Sequence, residues 1–403
     1  MPLPPEEIGR RIKEVRIEVG FSPAQLAAIL GVQPIVIEQL ESGILSPVPG
    51  DYILILAQAL KTDFRYFISR SLDDVETGIK KLFRALAAPN PKDFLALRRF
   101  MSFAAAEHDL EILLGCPKPS PPPVYRFEKN ILHKDQGKQA AQAERKRLGL
   151  GNEPISNIFD LMRRQGIGLM RQRLEDGNLS GVTLLHPRAG VCALINYDDD
   201  LFRQFFSAAH EYCHVLFERG VLDRESCIVS YYNNRELGRR DSTQTPQSER
   251  ESHWIELRAN NFASEFLLPL SALDRYPKPQ TTDDVAELTL RIGRDYRINT
   301  VTVAIRLKDK GWISQKTLES FKKVMPKRIP RSEKRDPEVP LGLTQQQYER
   351  RQVATEYGTS SYYLELLRRA VSSNLITMGR FTEMLDMTPR QAASFAVETG
   401  IAL

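Results

Sequence analysis

Residues 202–218 read FRQFFSAAHEYCHVLFE, and this stretch decides how the rest of the chain is interpreted. It predicts a helix in which His210 and His214, at positions i and i+4, lie on one face, one turn apart. Two imidazoles with this spacing can bind one metal ion, and Glu211 can accept a proton from water at the same site. The apolar residues around them predict a buried helix, where ionisable side chains need partners. The sequence therefore predicts a zinc (Zn2+) site with His210 and His214 as ligands and Glu211 as the general base.

A third metal ligand is expected further along the chain, because a catalytic zinc ion usually has three protein ligands. The best candidate is Glu256, at the start of a second predicted helix with the sequence IELRANNFASEFLLP. The small side chains of Ala259 and Ala263 share a face with Glu256 and would let this helix pack closely on the first. His253 and Glu249 remain alternatives, because both are metal-binding residue types near the start of the same helix.

Together, the two helical stretches resemble the ImmA/IrrE family of bacterial zinc metallopeptidases. The pattern of that family is R-x-x-F-x-x-A-H-E-x-x-H, followed by E-x-x-A-N-x-F-A-x-x-L-L-x-P. This chain supplies the following residues of the pattern: Arg203, Phe206, Ala209, His210, Glu211 and His214, then Glu256, Ala259, Asn260, Phe262, Ala263, Leu267, Leu268 and Pro269. The last part departs from the pattern by one place, since Leu268 runs directly into Pro269.

The resemblance covers residues 150–315 and implies a zincin-like α/β core. It implies that His210, His214 and Glu256 bind zinc and that Glu211 is the general base. Arg203 and Asn260 are expected to support the site or the fold. Members of the family cleave one partner protein, typically a repressor, so limited and specific cleavage is the implied activity.

A second motif lies at residues 22–43, SPAQLAAILGVQPIVIEQLESG, which resembles the XRE-type helix-turn-helix of phage repressors. The matching positions are those that pack the motif: Leu26, Ala27, Gly31, Val32, Ile37, Leu40 and Gly43. In that family the second helix enters the major groove of DNA. Gln33, Ile35 and Gln39 are the candidate contacts of this helix with DNA or a protein partner, and Arg10 and Arg11 are candidate backbone contacts.

The net charge of residues 1–70 does not decide whether this segment binds DNA or protein. Residues 1–70 contain seven basic and eight acidic side chains, whereas specific DNA binding depends on neutralising phosphates. The start of the second motif helix is also apolar where polar base-reading residues normally stand. The segment could bind DNA, or it could bind protein, such as a repressor's own domain or a second copy of this chain.

The composition is that of a folded protein with several domains. The 403 residues carry a formal net charge of +5 and include 42% hydrophobic residues. No long uncharged apolar run is present, so no membrane span is expected. The four cysteines form no CxxC pair, which argues against a disulfide scaffold and indicates a reducing, cytoplasmic setting.

The predicted fold class is multidomain, α plus α/β, and six segments are expected. In chain order they are a helix-turn-helix domain (1–70), a helical connector (71–114), a Pro-rich and basic linker (115–150), a zincin-like domain (151–315), a basic linker (316–343) and a small helical domain (344–403). Residues 137–150 are expected to form a solvated helix. Strands are expected at 167–170, 181–185 and 191–196, with a polar, irregular insertion at 222–252.

These features predict a bacterial zinc endopeptidase that makes limited cuts in a partner protein, such as a repressor encoded nearby, and thereby controls gene expression. The intact Glu211 favours an enzyme, because a protein that only binds metal has no need of a base beside it. One alternative is a DNA-binding regulator whose zincin domain binds or senses without proteolysis. Another is a toxin–antitoxin component. Oligomerisation through the helical domains is compatible with all three interpretations.

Overall fold

The computed structural model describes residues 3–70, 73, 91–126, 128, 131–174, 179–225, 227–231, 246–323, 329–330, 333–340 and 342–402. Helices predominate, with one four-stranded sheet. This architecture confirms the predicted combination of all-α and α/β domains. No helix among these residues is long and apolar enough to cross a membrane.

Five helices form the N-terminal domain: α1 (Pro5–Val19), α2 (Pro23–Leu30), α3 (Pro34–Glu41), α4 (Gly50–Ala59) and α5 (Phe64–Ile68). Ser22 caps α2 in a reciprocal arrangement with Gln25, and Gly31 ends the helix with φ of 68°, a left-handed conformation that glycine adopts without steric cost. Only three residues then separate α2 from α3, as the helix-turn-helix prediction requires. Ile12, Leu26 and Ile37, each fully buried, lie in the core of this domain.

The sheet contains β1 (Gly168–Gln172), β2 (Leu179–His186), β3 (Gly190–Asn196) and β4 (Cys227–Tyr231), in the order β1-β3-β2-β4. β1 is parallel to β3, whereas β2 is antiparallel to both β3 and β4. The three predicted strands are therefore confirmed. β4 was missed, because it lies inside the stretch that was expected to be irregular, and residues 232–245 of that stretch lie outside the described chain.

Helices cover both faces of the sheet. On one face, every second side chain of β1 and β3 packs on α8 (Ile158–Arg164) and on the long helix α9 (Leu201–Glu225). The opposite face packs on α6 (Pro91–Leu113), where Leu97, Phe100 and Phe103 are buried. α6 lies within the predicted helical connector, 71–114, and also forms one layer of the sheet domain. Residues 71–72 and 74–90 lie outside the described chain.

Residues 115–150 also differ from the predicted linker. Their helix α7 (His133–Arg147) is present, but its small residues face α10 (Pro246–Leu267), and a Cβ at Gly137 would overlap the carbonyl oxygen of Arg258. Ala140 and Ala141 are buried on the same face. The charged composition pointed to a solvated helix, whereas the small side chains let one face pack closely on α10. The preceding extended segment is joined to α9 by a hydrogen bond of 2.7 Å from Tyr125 N to Leu216 O.

After α10, a short 3-10 helix (Leu270–Arg275) leads into three further helices, which are α11 (Thr282–Tyr296), α12 (Thr300–Asp309) and α13 (Gln315–Lys323). The expected basic linker 316–343 is thus partly helical. Its later part is anchored in the sheet domain, because Asp336 and Glu338 are buried against Arg171 at 2.8 and 2.6 Å. These buried ion pairs explain why a segment that looks like a linker does not remain solvated.

The C-terminal helices are α14 (Gln345–Tyr357), α15 (Ser361–Ser372), α16 (Met378–Met384) and α17 (Pro389–Thr399). Thr388 caps α17 in a reciprocal arrangement with Gln391, and Pro389 occupies the first position of the helix. Their core includes Leu110 of α6, so this small helical unit is built on the connector helix. It also touches the N-terminal domain through an ion pair of 2.9 Å between Lys61 and Asp386.

Candidate metal centre

Three side chains that can bind metal meet where α9 packs against α10. His210 Nε2 lies 3.1 Å from one carboxylate oxygen of Glu256, and His214 Nε2 lies 3.5 Å from the other. The two Nε2 atoms are 3.0 Å apart. One ligand atom from each residue lies within 4.8 Å of the others, and all three residues are buried. Two imidazoles and one carboxylate are a donor set that suits zinc, so these residues fit the expected metal.

The local sequence explains how the two helices reach this position. His210 and His214 lie on one face of α9, one turn apart. Ala259 and Ala263 are fully buried on α10 and leave room for close contact between the helices. Glu256 precedes them on α10 and therefore reaches the histidines at one end of the contact.

Each histidine has a hydrogen-bond partner on its second ring nitrogen. His210 Nδ1 lies 3.1 Å from Asn260 Oδ1, and His214 Nδ1 lies 2.9 Å from Glu218 Oε2. Because a carboxylate only accepts, His214 must donate from Nδ1, which leaves the lone pair on Nε2. Glu218 is in turn paired with Arg258 of α10. The Nδ1 atom of each histidine is therefore hydrogen-bonded, and the Nε2 atoms are directed at Glu256.

The carboxylate of Glu211 lies against β2. Thr183 Oγ1 donates a hydrogen bond of 2.6 Å to Glu211 Oε2. The other oxygen, Oε1, is buried and has no hydrogen-bond partner among the described residues. A Cβ on Gly181 would come within 2.5 Å of this oxygen. The side chain is thus fixed through one oxygen while the other remains free to accept a proton.

Burial and charge set the protonation of the ligand residues. Burial lowers the pKa of His214 to about 4, so its ring is neutral at neutral pH and Nε2 can act as a ligand. Burial also opposes the charged form of His210, but the neighbouring Glu256 carboxylate outweighs it and raises the pKa of that histidine. Burial alone would raise the pKa of Glu256, but the positive charge of His210 outweighs it and lowers that pKa.

The structure separates the remaining candidates. His253 is exposed and contacts the ring of Trp254, with 5.4 Å between ring centroids, rather than joining His210, His214 and Glu256. The side chain of Glu249 lies outside the described residues. Asn260 is beside the metal site, whereas Arg203 is half-buried and forms an ion pair of 3.6 Å with Asp199. Arg203 therefore interacts with the segment that leads into α9.

The candidate contact residues of the N-terminal domain differ in their exposure to solvent. Gln33 and Ile35 are exposed at the start of α3, and Gln39 is half-buried. Arg10 is exposed but forms ion pairs with Glu7 and Glu14.

Arg11 does not lie on the surface. It is 3% exposed and donates to Tyr66 O at 2.6 Å and to Asp73 at 2.8 Å. Its guanidinium is therefore occupied in holding α1 to α5, which opposes the expectation that it contacts a partner.

Comparison with protein families identifies two domains in the chain. Residues 162–308 match the family model described as the IrrE N-terminal-like domain, Peptidase_M78, and residues 12–67 match the helix-turn-helix model HTH_3. The first is a metallopeptidase-type domain. The chain therefore carries an IrrE-like peptidase domain together with an XRE-type helix-turn-helix domain. A comparison with curated proteins found no match.

Sequence reasoning missed four residues around the metal centre: Gly181, Thr183, Glu218 and Arg258. Glu218 carried a usable signal, because it follows His214 by one helical turn and is an acidic residue on an apolar helix. Gly181 and Thr183 carried none, since their place depends on which part of β2 packs against α9.

Proposed function

We propose that this chain is a zinc-dependent endopeptidase that makes limited, specific cuts in a partner protein, a transcriptional repressor. The observation that carries the proposal is the convergence of His210, His214 and Glu256, together with the buried carboxylate of the adjacent Glu211, one oxygen of which has no hydrogen-bond partner among the described residues. The family match of residues 162–308 supports a metallopeptidase, and the helix-turn-helix domain supports a role in gene control.

The three ligand residues would hold the zinc ion, which supplies a Lewis acid for a peptide carbonyl and makes nearby water more acidic. Glu211 would accept the proton of the attacking water on Oε1, since Thr183 already occupies Oε2. The same carboxyl group would then deliver a proton to the leaving amine. Burial favours the neutral form of His214, whose Nε2 would then be available to the metal.

The helix-turn-helix domain would bring the peptidase to its target. Ile35 is 54% exposed at the start of α3, and Arg11 and Arg16 are buried in ion pairs. This surface offers an apolar contact and little free positive charge, which supports recognition of a protein. DNA binding by the full chain is then expected to be weak at physiological salt. Fluorescence polarisation over a salt series tests this, and nanomolar sequence-specific binding would favour the regulator without proteolysis.

Co-expression with a repressor encoded next to the gene tests the proposed cleavage. The wild-type chain should produce two repressor fragments that intact mass spectrometry can identify. Glu211→Gln should produce none, because glutamine is almost isosteric but cannot accept the proton at neutral pH. Equal cleavage by wild type and mutant would show that Glu211 is not the base. Absence of cleavage in both would contradict the proposed activity toward that repressor.

A further inference from the structure

Glu218 lies one helical turn after His214 and is buried beside it, with 6% of its surface exposed. Its Oε2 is 2.9 Å from His214 Nδ1, and its Oε1 accepts a hydrogen bond from Arg258 of the neighbouring helix α10. Arg258 is 4% exposed and lies over the ring of Phe217, 4.3 Å from its centroid. Charges at this depth are costly unless each neutralises the other. The buried carboxylate of Glu218 and the buried guanidinium of Arg258 therefore stabilise each other in their charged forms.

The two histidines are held by unlike partners. His210 faces the neutral amide oxygen of Asn260, which is exposed, whereas His214 faces a buried anion. An anionic acceptor fixes the protonated nitrogen more strongly than a neutral one and makes the opposite nitrogen a better ligand. The orientation of His214 is thus determined more strongly than that of His210.

We propose that Glu218 and Arg258 are a positioning pair, which holds His214 so that Nε2 faces the metal and which ties this histidine to the helix that carries Glu256. The proposal rests on the proposed zinc site. Arg258 follows Glu256 by two residues, so its bond to Glu218 joins the two halves of the ligand set. Glu218 bonds to His214 and Arg258, so the pair would act through the histidine.

A second buried ion pair on α10 provides a matched control. Glu265 is 2% exposed and pairs with Arg306, which is fully buried on α12. This pair has the same chemistry and similar burial, but neither residue contacts His210, His214 or Glu256 in any described interaction. Glu218→Gln and Glu265→Gln therefore remove the same charge at two sites, and only the first lies beside a metal ligand.

The experiment compares full-length wild type, Glu218→Gln and Glu265→Gln. Zinc affinity is measured by competition with a colorimetric chelator, and ligand geometry by the visible absorption of the cobalt-substituted protein. Glu218→Gln should weaken zinc binding about 10- to 100-fold and alter the cobalt bands. Glu265→Gln should lower the thermal midpoint but leave the zinc affinity and the cobalt bands unchanged.

A double variant, Glu218→Gln/Arg258→Met, covers the case in which the single variant does not fold, because it also removes the buried cation whose carboxylate partner has been neutralised. It should fold and still bind zinc more weakly than wild type. Wild-type zinc affinity and cobalt bands in either folded variant would overturn the positioning role. A wild type that binds no zinc would overturn this inference and the proposed function together. A wild type that binds zinc but cleaves no repressor, with weakened binding in Glu218→Gln, would support the pair and contradict the proposed cleavage alone.

Discussion

Thr183 and Glu211 are joined by a hydrogen bond of 2.6 Å that links the strand β2 to the helix carrying both histidines. Both residues are fully buried. Gly181 lies two positions earlier, on the same face of the strand, and its missing side chain provides the space that the Glu211 carboxylate occupies. The sheet therefore fixes the carboxylate of Glu211, the proposed general base, in addition to supporting the helix.

Thr183→Val should reduce cleavage while leaving zinc content unchanged. Valine has nearly the shape of threonine but cannot donate, so it leaves a buried carboxylate oxygen without its partner. A hydrogen bond to a charged group is worth about 1.5–3 kcal/mol, which corresponds to about 10- to 100-fold in rate if Glu211 loses its orientation. Thr183→Ser keeps the hydroxyl and should retain most activity. Steady-state cleavage rates of the two variants are the measurement, and equal rates would show that the hydroxyl has no positioning role.

Gly181→Ala should reduce cleavage because the new Cβ would lie within 2.5 Å of Glu211 Oε1 and displace the carboxylate. The loss expected is about 10²- to 10⁴-fold, the contribution usual for a general base. The matched control is Gly220→Ala in α9, where no heavy atom of the described chain lies within 4 Å of the added Cβ. The fold and the zinc content of both variants should equal those of wild type. Full activity of Gly181→Ala would contradict the contact between strand and carboxylate.

The convergence of His210, His214 and Glu256 was predictable from the sequence because it depends on spacing within helices. Residues at positions i and i+4, such as His210 and His214, share a face in any α-helix. The small residues after Glu256 indicated that the second helix packs closely on the first. Thr183 and Gly181 were not accessible, because their position depends on the register between β2 and α9. The prediction of a solvated helix at 137–150 was wrong for a related reason. The charged composition of α7 gave no indication that its small side chains form a face that packs on another helix.

Gly137→Ala should lower the thermal stability of the peptidase domain, because a Cβ there would overlap the backbone of α10 at Arg258. Overpacking of this kind typically costs about 1–3 kcal/mol. Gly220→Ala again serves as the control, since alanine in an open helical position is expected to stabilise slightly. Thermal unfolding followed by circular dichroism is the measurement. A midpoint for Gly137→Ala equal to or above that of Gly220→Ala would mean that α7 is not packed closely on α10.

The most direct test of the metal centre is the zinc content of the full-length protein purified without added metal. Inductively coupled plasma mass spectrometry, with protein concentration measured on the same sample, gives the number of zinc ions per chain. With His210, His214 and Glu256 as ligands, the wild type should carry about one zinc ion, the His210→Ala/His214→Ala variant should carry almost none, and Glu211→Gln should match the wild type because Glu211 is not a ligand. A wild type without zinc, or a double histidine variant with full occupancy, would contradict the assignment of these residues as a zinc site.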